Sequence, residues 1–88
     1  MDGMLWFDND PKVEIKTRIE EGCAYYERKY SEQPNHVIIH PSQYVTGLVV
    51  DGIDIHTSRI VTPNHYLISH KQAVQATATQ EDVNVAPF

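Results

Sequence analysis

The chain has 88 residues, 41% hydrophobic and 22% charged, the make-up of one globular domain and neither a disordered polymer nor two separate units. Twelve acidic against seven basic residues give a net charge of −5, a poor match for gripping a phosphate backbone, so a nucleic-acid partner is not expected. One cysteine permits neither an internal disulfide nor a cysteine-rich zinc site, and it suits a reducing, cytoplasmic setting.

Residues 1–9 read as an N-terminal apolar arm. Met1-Asp2-Gly3 is acidic where a secretion signal needs a basic stretch. Met4-Leu5-Trp6-Phe7 follows; no apolar run in the chain exceeds four residues, far short of the ~20 of a membrane span, so no membrane partner is expected. Four large apolar residues must cover something. They lie either across the sheet or helix of their own chain or against another subunit, since Trp and Phe are favoured interface anchors. Leu5, Trp6 and Phe7 are therefore the candidate interface, and Trp6→Asp is expected to dissociate any oligomer.

A core over residues 10–70 comes next. The spacing predicts a helix from about Asp10 to Tyr30: Asp10 as N-cap, Pro11 at the first helical position, then Ile15, Ile19, Cys23, Tyr26 and Tyr30 on one stripe. Glu14 and Arg18 are placed to pair at i,i+4, and Arg28 and Lys29 suit the C-terminal end of the dipole. Gly22 sits beside the stripe, where its cost in helix propensity implies close approach of another backbone. Pro34 stops the helix.

Short strands follow. His36 to His40 is β-branched between Pro34 and Pro41 and reads as an inner strand. Val45 to Val50, Asp51-Gly52 and Ile53 to Thr57 read as a hairpin on a two-residue turn. Pro63-Asn64 marks a turn into a strand over His65 to Ser69. Residues 71–88 form a poorly packed or flexible tail in which Val83 and Val85 alternate as a strand would. The fold class is α+β, one N-terminal helix on a small, mainly antiparallel sheet of three to five strands. So thin a core favours self-association or a protein partner.

Five histidines invite a test for metal. His36 and His40 share a strand face but stand ~13 Å apart, too far for one ion. A site across strands is open to His40, His56 and His70, against the ordinary reading of solvated or hydrogen-bonded rings. No metal or other cofactor is expected. Cys23 on the buried stripe reads as a small hydrophobe. Ser42, Ser58 and Ser69 lack a nucleophile elbow, and Asp8 with Asp10 reads as a cap before a carboxylate dyad. No catalytic residues are assigned.

Ala24-Tyr25-Tyr26-x3-Tyr30-x3-Pro34-Asn35-x-Val37-Ile38-Ile39-His40-Pro41 resembles the A domain of HK97-type phage major capsid and encapsulin proteins. Gly52-Ile53-x-Ile55-x-x-Ser58-x-x-Val61-x-Pro63-x-x-Tyr66-Leu67-Ile68 is similar to that domain's later strands. The resemblance covers roughly residues 24–69. It implies a pared-down, stand-alone module that does not build capsids, with only a turn of helix after His40-Pro41. The function expected is a non-enzymatic interaction or assembly module; a small His-dependent metal protein or hydrolase and a nucleic-acid-associated regulator are the alternatives.

Overall fold

A computed structural model describes residues 3–71. The chain runs through β1 (Met4–Phe7), α1 (Ile15–Tyr30), β2 (His36–Ile39), a 3-10 turn (Pro41–Gln43), β3 (Asp54–Thr57) and β4 (His65–Ser69). The strands form one sheet in the order β1-β4-β2-β3. The β1–β4 and β4–β2 pairs are antiparallel and β2–β3 is parallel. One helix on a four-stranded mixed sheet is the α+β class expected. The tail beyond Lys71, with Val83, Val85 and Phe88, lies outside the described residues.

The apolar residues of the N-terminal stretch lie on the sheet of their own chain. From Met4 to Phe7 they are an edge strand, with Met4 opposite Ile68 and Phe7 opposite His65. Strand alternation sends Met4 and Trp6 towards α1 and Leu5 and Phe7 away from it. The apolar layer between helix and sheet combines Met4, Ile19, Tyr26, Val37, Ile39, Tyr66 and Ile68, closed on one flank by Leu48 and Val50.

The helix starts four residues later than the cap signature predicts. Asp10 accepts from Lys12 N (3.0 Å), and Val13 N donates to Asp10 O (3.1 Å). The Asp-Pro pair thus closes a turn of its own. Glu14 is then extended (φ −65°, ψ 153°) and offers no side-chain cap. At the other end Ser31 takes the left-handed conformation (φ 56°) and donates to Glu27 O. Of the expected stripe, Ile19 and Tyr26 are buried, Ile15 and Cys23 pack at the margin, and Tyr30 is exposed with Lys29 Nζ 5.5 Å from its ring.

What Gly22 admits is side chains, not a second backbone. A Cβ there would lie 2.6 Å from Ile68 Cδ1 and 2.8 Å from Trp6 Cγ and Cδ1. The missing methyl therefore sets how closely α1 approaches β1 and β4.

Half of the expected hairpin forms. Asp51-Gly52 makes the tight turn, with Gly52 at φ 77° and Ile53 N donating to Val50 O. The pairing shrinks to one bridge, Val50–Ile53, because Gly47 (φ 83°) and the Leu48 N–Val45 O bond fold residues 45–48 into a turn. Freed from that partner, β3 joins β2 in parallel. Asp54 N donates to Asn35 O and Ser58 N to Ile39 O, continuing the ladder at both ends.

Arg18 is 6% exposed and does not serve Glu14. Nε donates to Val13 O (3.0 Å), Nη2 to Asp10 O, and Nη1 to Asp8 O, Asn64 Oδ1 and the Tyr66 hydroxyl. Tyr66 OH donates on to Gln43 Oε1, which also accepts from Asn64 N. One guanidinium thereby joins the β1–α1 connection, the turn before β4 and the 3-10 turn.

Two stability predictions follow from these contacts. Gly22→Ala gains helix propensity yet loses about 1–3 kcal/mol net to overpacking, read by urea denaturation. Arg18→Met strands several buried acceptors and costs about 3 kcal/mol in the same assay, while Arg18→Lys recovers only part, lacking the planar fork.

Candidate functional site

Sheet periodicity builds the site. On the face turned away from α1 stand Leu5 and Phe7 of β1, His65, Leu67 and Ser69 of β4, His36 and Ile38 of β2, and Asp54 and His56 of β3. The register aligns Leu5, Leu67, Ile38 and His56 in one row across all four strands. Phe7–His65 forms the row at one end and Ser69–His36–Asp54 the row at the other. No helix in the described residues covers this face. Leu5 is 59% and Phe7 55% exposed, while Leu67 and Ile38, further into the sheet along the row of Leu5, are half-buried.

On a chain of net charge −5, the described strands place one Asp or Glu on this face, Asp54, and Lys71 acts on His36 from beyond the end of β4. The other acidic groups among the described residues lie on α1 and in the loops. Aromatic contacts stiffen both ends of the face: Phe7 and His65 ring centres lie 4.9 Å apart, and His36 and His56 lie 4.7 Å apart.

Of the candidate interface residues, Leu5 and Phe7 point outward. Trp6 turns inward, against Gly22 and 5.2 Å from the Tyr25 ring, with its indole N–H buried and unpartnered among the described residues. Trp6→Asp therefore strikes the core, and its effect on association is inseparable from unfolding.

The candidate metal ligands His40, His56 and His70 occupy three separate places. His40 Nδ1 accepts from Ser42 N (3.1 Å) and lies 2.8 Å from Ser42 Oγ, capping the 3-10 turn. His70 Nδ1 bonds Gln33 O, and its Nε2 lies 3.6 Å from Glu32. His56 stacks on His36. Among the described residues no group of three or more His, Cys, Asp or Glu is placed to hold a metal.

Asp8 and Asp10 behave as turn caps, Asp8 Oδ1 accepting from Asp10 N at 3.0 Å. Burial, reinforced by Glu20, pushes the Cys23 thiol up to about 11, the opposite of an activated thiolate. It lines a groove of about 290 Å³ between α1 and the Asp51-Gly52 turn, beside Glu20, Glu27 and Asp51. A second hollow of about 410 Å³ lies between Glu14–Lys16 and Val45–Val49.

Sequence reasoning missed two features. The cross-strand His36–His56 pair needs the parallel β2–β3 register, which no local pattern encodes. The Arg18 network needs Asn64, Tyr66 and Gln43, all distant in sequence. Comparison with protein-family models, curated proteins and solved structures finds no match.

His36 has a titration consequence. Burial, then Lys71 and His56, pushes its imidazole below the ordinary range, with Asp54 opposing; Ser69 Oγ lies 3.5 Å from Nδ1. The unfolded chain takes up this proton near pH ~6.5, before the folded one does, so stability present above that value is lost as pH falls towards the lowered folded pKa. Thermal melts at pH 7.5 and 5.5 (roughly one unit either side of the free value) are expected to show a modest fall in Tm. The fall is expected to be smaller in His36→Asn.

Proposed function

We propose that this chain is a non-enzymatic interaction or assembly module that works by self-association or by binding a protein partner, in a reducing cytoplasmic setting. The observation that carries the reading is the sheet face that no helix of the described residues covers. Leu5, Phe7, Ile38 and Leu67 form a contiguous apolar surface at one sheet edge, nearly free of formal charge on a chain that is otherwise acidic. A small α+β domain buries one face of its sheet under its helix, and a second apolar face is stabilised when another surface covers it. Single exposed apolar residues are ordinary on any protein; here Leu5, Leu67 and Ile38 share one row of the register and Phe7 stands in the next row on the same face, so the four are not scattered.

The resemblance of residues 24–69 to the HK97-type A domain supports the same reading, since it points to a descendant of an assembling protein. On this view the module is prophage- or capsid-derived and lacks the rest of a shell subunit.

Sedimentation velocity over roughly micromolar to millimolar protein tests the proposal. Wild type is expected to associate reversibly. The Leu5→Lys/Phe7→Lys double variant, both changes at exposed positions, is expected to weaken association at least about tenfold with Tm within a few degrees of wild type. A chain that sediments as a monomer throughout, indifferent to these changes, overturns it.

A further inference from the structure

The sheet has two edges and they are built differently. β3 is a guarded edge: Asp54 and His56 stand on it, and Arg59 follows closely. Charged groups on an edge are the usual protection against pairing with another strand. β1 is the other edge and has no such protection. Its four residues, Met4-Leu5-Trp6-Phe7, include no charge, proline or glycine, and among the described residues its ladder is filled on one side only, by β4. Half of its backbone donors and acceptors point outward from the sheet, flanked by the exposed side chains of Leu5 and Phe7.

Resting on the reading of the chain as an association module, we infer that its partner is a second copy, joined through antiparallel pairing of β1 with β1 across a two-fold axis at Trp6. Identical edges meeting about a two-fold close on themselves, whereas a β1 edge meeting a β3 edge would propagate without end. Only residues on the same sheet face stand opposite one another in an antiparallel pair. The axis at Trp6 satisfies that rule, setting Leu5 of one copy opposite Phe7 of the partner subunit. The apolar row Leu5–Leu67–Ile38 of one copy then meets Phe7 of the partner subunit across an eight-stranded sheet.

The helix side of the seam is self-complementary as well. Tyr25 stacks on Trp6 and carries the Arg28 guanidinium 5.7 Å above its ring. Glu21, one turn before Tyr25, is exposed on the same flank. A two-fold perpendicular to the sheet runs the two α1 helices antiparallel, turning Glu21 of each copy towards Arg28 of the partner subunit. A four-residue seam falls short of the roughly 800 Å² per partner of a standard interface, so the dimer is a weak one.

Cysteine pairing reads the register directly. In a Cys23→Ala background, Leu5→Cys and Phe7→Cys proteins are prepared separately, oxidised alone and as an equimolar mixture, and resolved on a non-reducing gel. Facing positions lie within disulfide reach while positions offset by two residues do not. The mixture is expected to yield at least about fivefold more covalent dimer than either protein alone. A mixture no more reactive than its components overturns the β1 seam. If sedimentation then still shows association that Leu67→Lys abolishes, the faces stack and the module reading stands; if it shows only monomer, both fall.

Discussion

A positive charge with no ion-pair partner among the described residues, Arg18, holds the connection between β1 and α1 in place. Taking a guanidinium out of water is costly, by several kcal/mol per ion in proteins. Arg18 offsets that cost with hydrogen bonds to neutral oxygens alone: the carbonyls of Asp8, Asp10 and Val13, the Asn64 amide and the Tyr66 hydroxyl. Charge-assisted bonds of this kind are about twice as strong as neutral ones. Their geometry matters more than their sum. Three of the acceptors belong to the connection between β1 and α1, so the guanidinium fixes the path by which β1 reaches the sheet. Asp8 N completes the anchor by donating to Asn64 O. Without Arg18 the edge strand would have only four residues of ladder to hold it.

The other determinant is an absence. Gly22 lets Trp6 and Ile68 press against the helix backbone, and this close approach turns Trp6 into a core residue although it sits on an edge strand. The indole is consequently shared between two tasks. Its ring closes the layer beneath α1, while its backbone lies on the exposed edge. Any substitution of Trp6 perturbs both, whereas Leu5 and Phe7 perturb only the outer face.

Sequence alone made β2 and β4 legible because proline or Pro-Asn punctuation isolates β-rich runs at each. The C-terminal half of α1 was equally plain, where Ile19, Cys23 and Tyr26 keep the helical period. The helix start was misleading because Asp10-Pro11 is a sound cap signature that the chain spends on a separate turn, stabilised by a residue eight positions on. β1 was hidden for a different reason. A strand apolar on both faces shows no alternation, so Met4-Leu5-Trp6-Phe7 carries no period to detect. The β2–β3 pairing was out of reach because Asp51-Gly52 signals a local turn, and the choice between a hairpin and a parallel partner is made by residues elsewhere. The candidate histidines fail to converge because His40 and His70 lie just beyond strand ends, where the Ser42 turn holds the first and Gln33, distant in sequence, holds the second.

The placement of charge bears on how far association can go. A net charge of −5 opposes indiscriminate contact between copies, and charge repulsion of this kind limits aggregation while leaving a neutral patch free to meet its match. The neutral patch and the unguarded edge coincide at β1, whereas the charged groups Asp54 and Arg59 stand at β3. Joining at β1 consumes the vulnerable edge and leaves the two guarded ones outermost. A sheet organised in this way has one direction in which it can grow, and a single step of growth removes it.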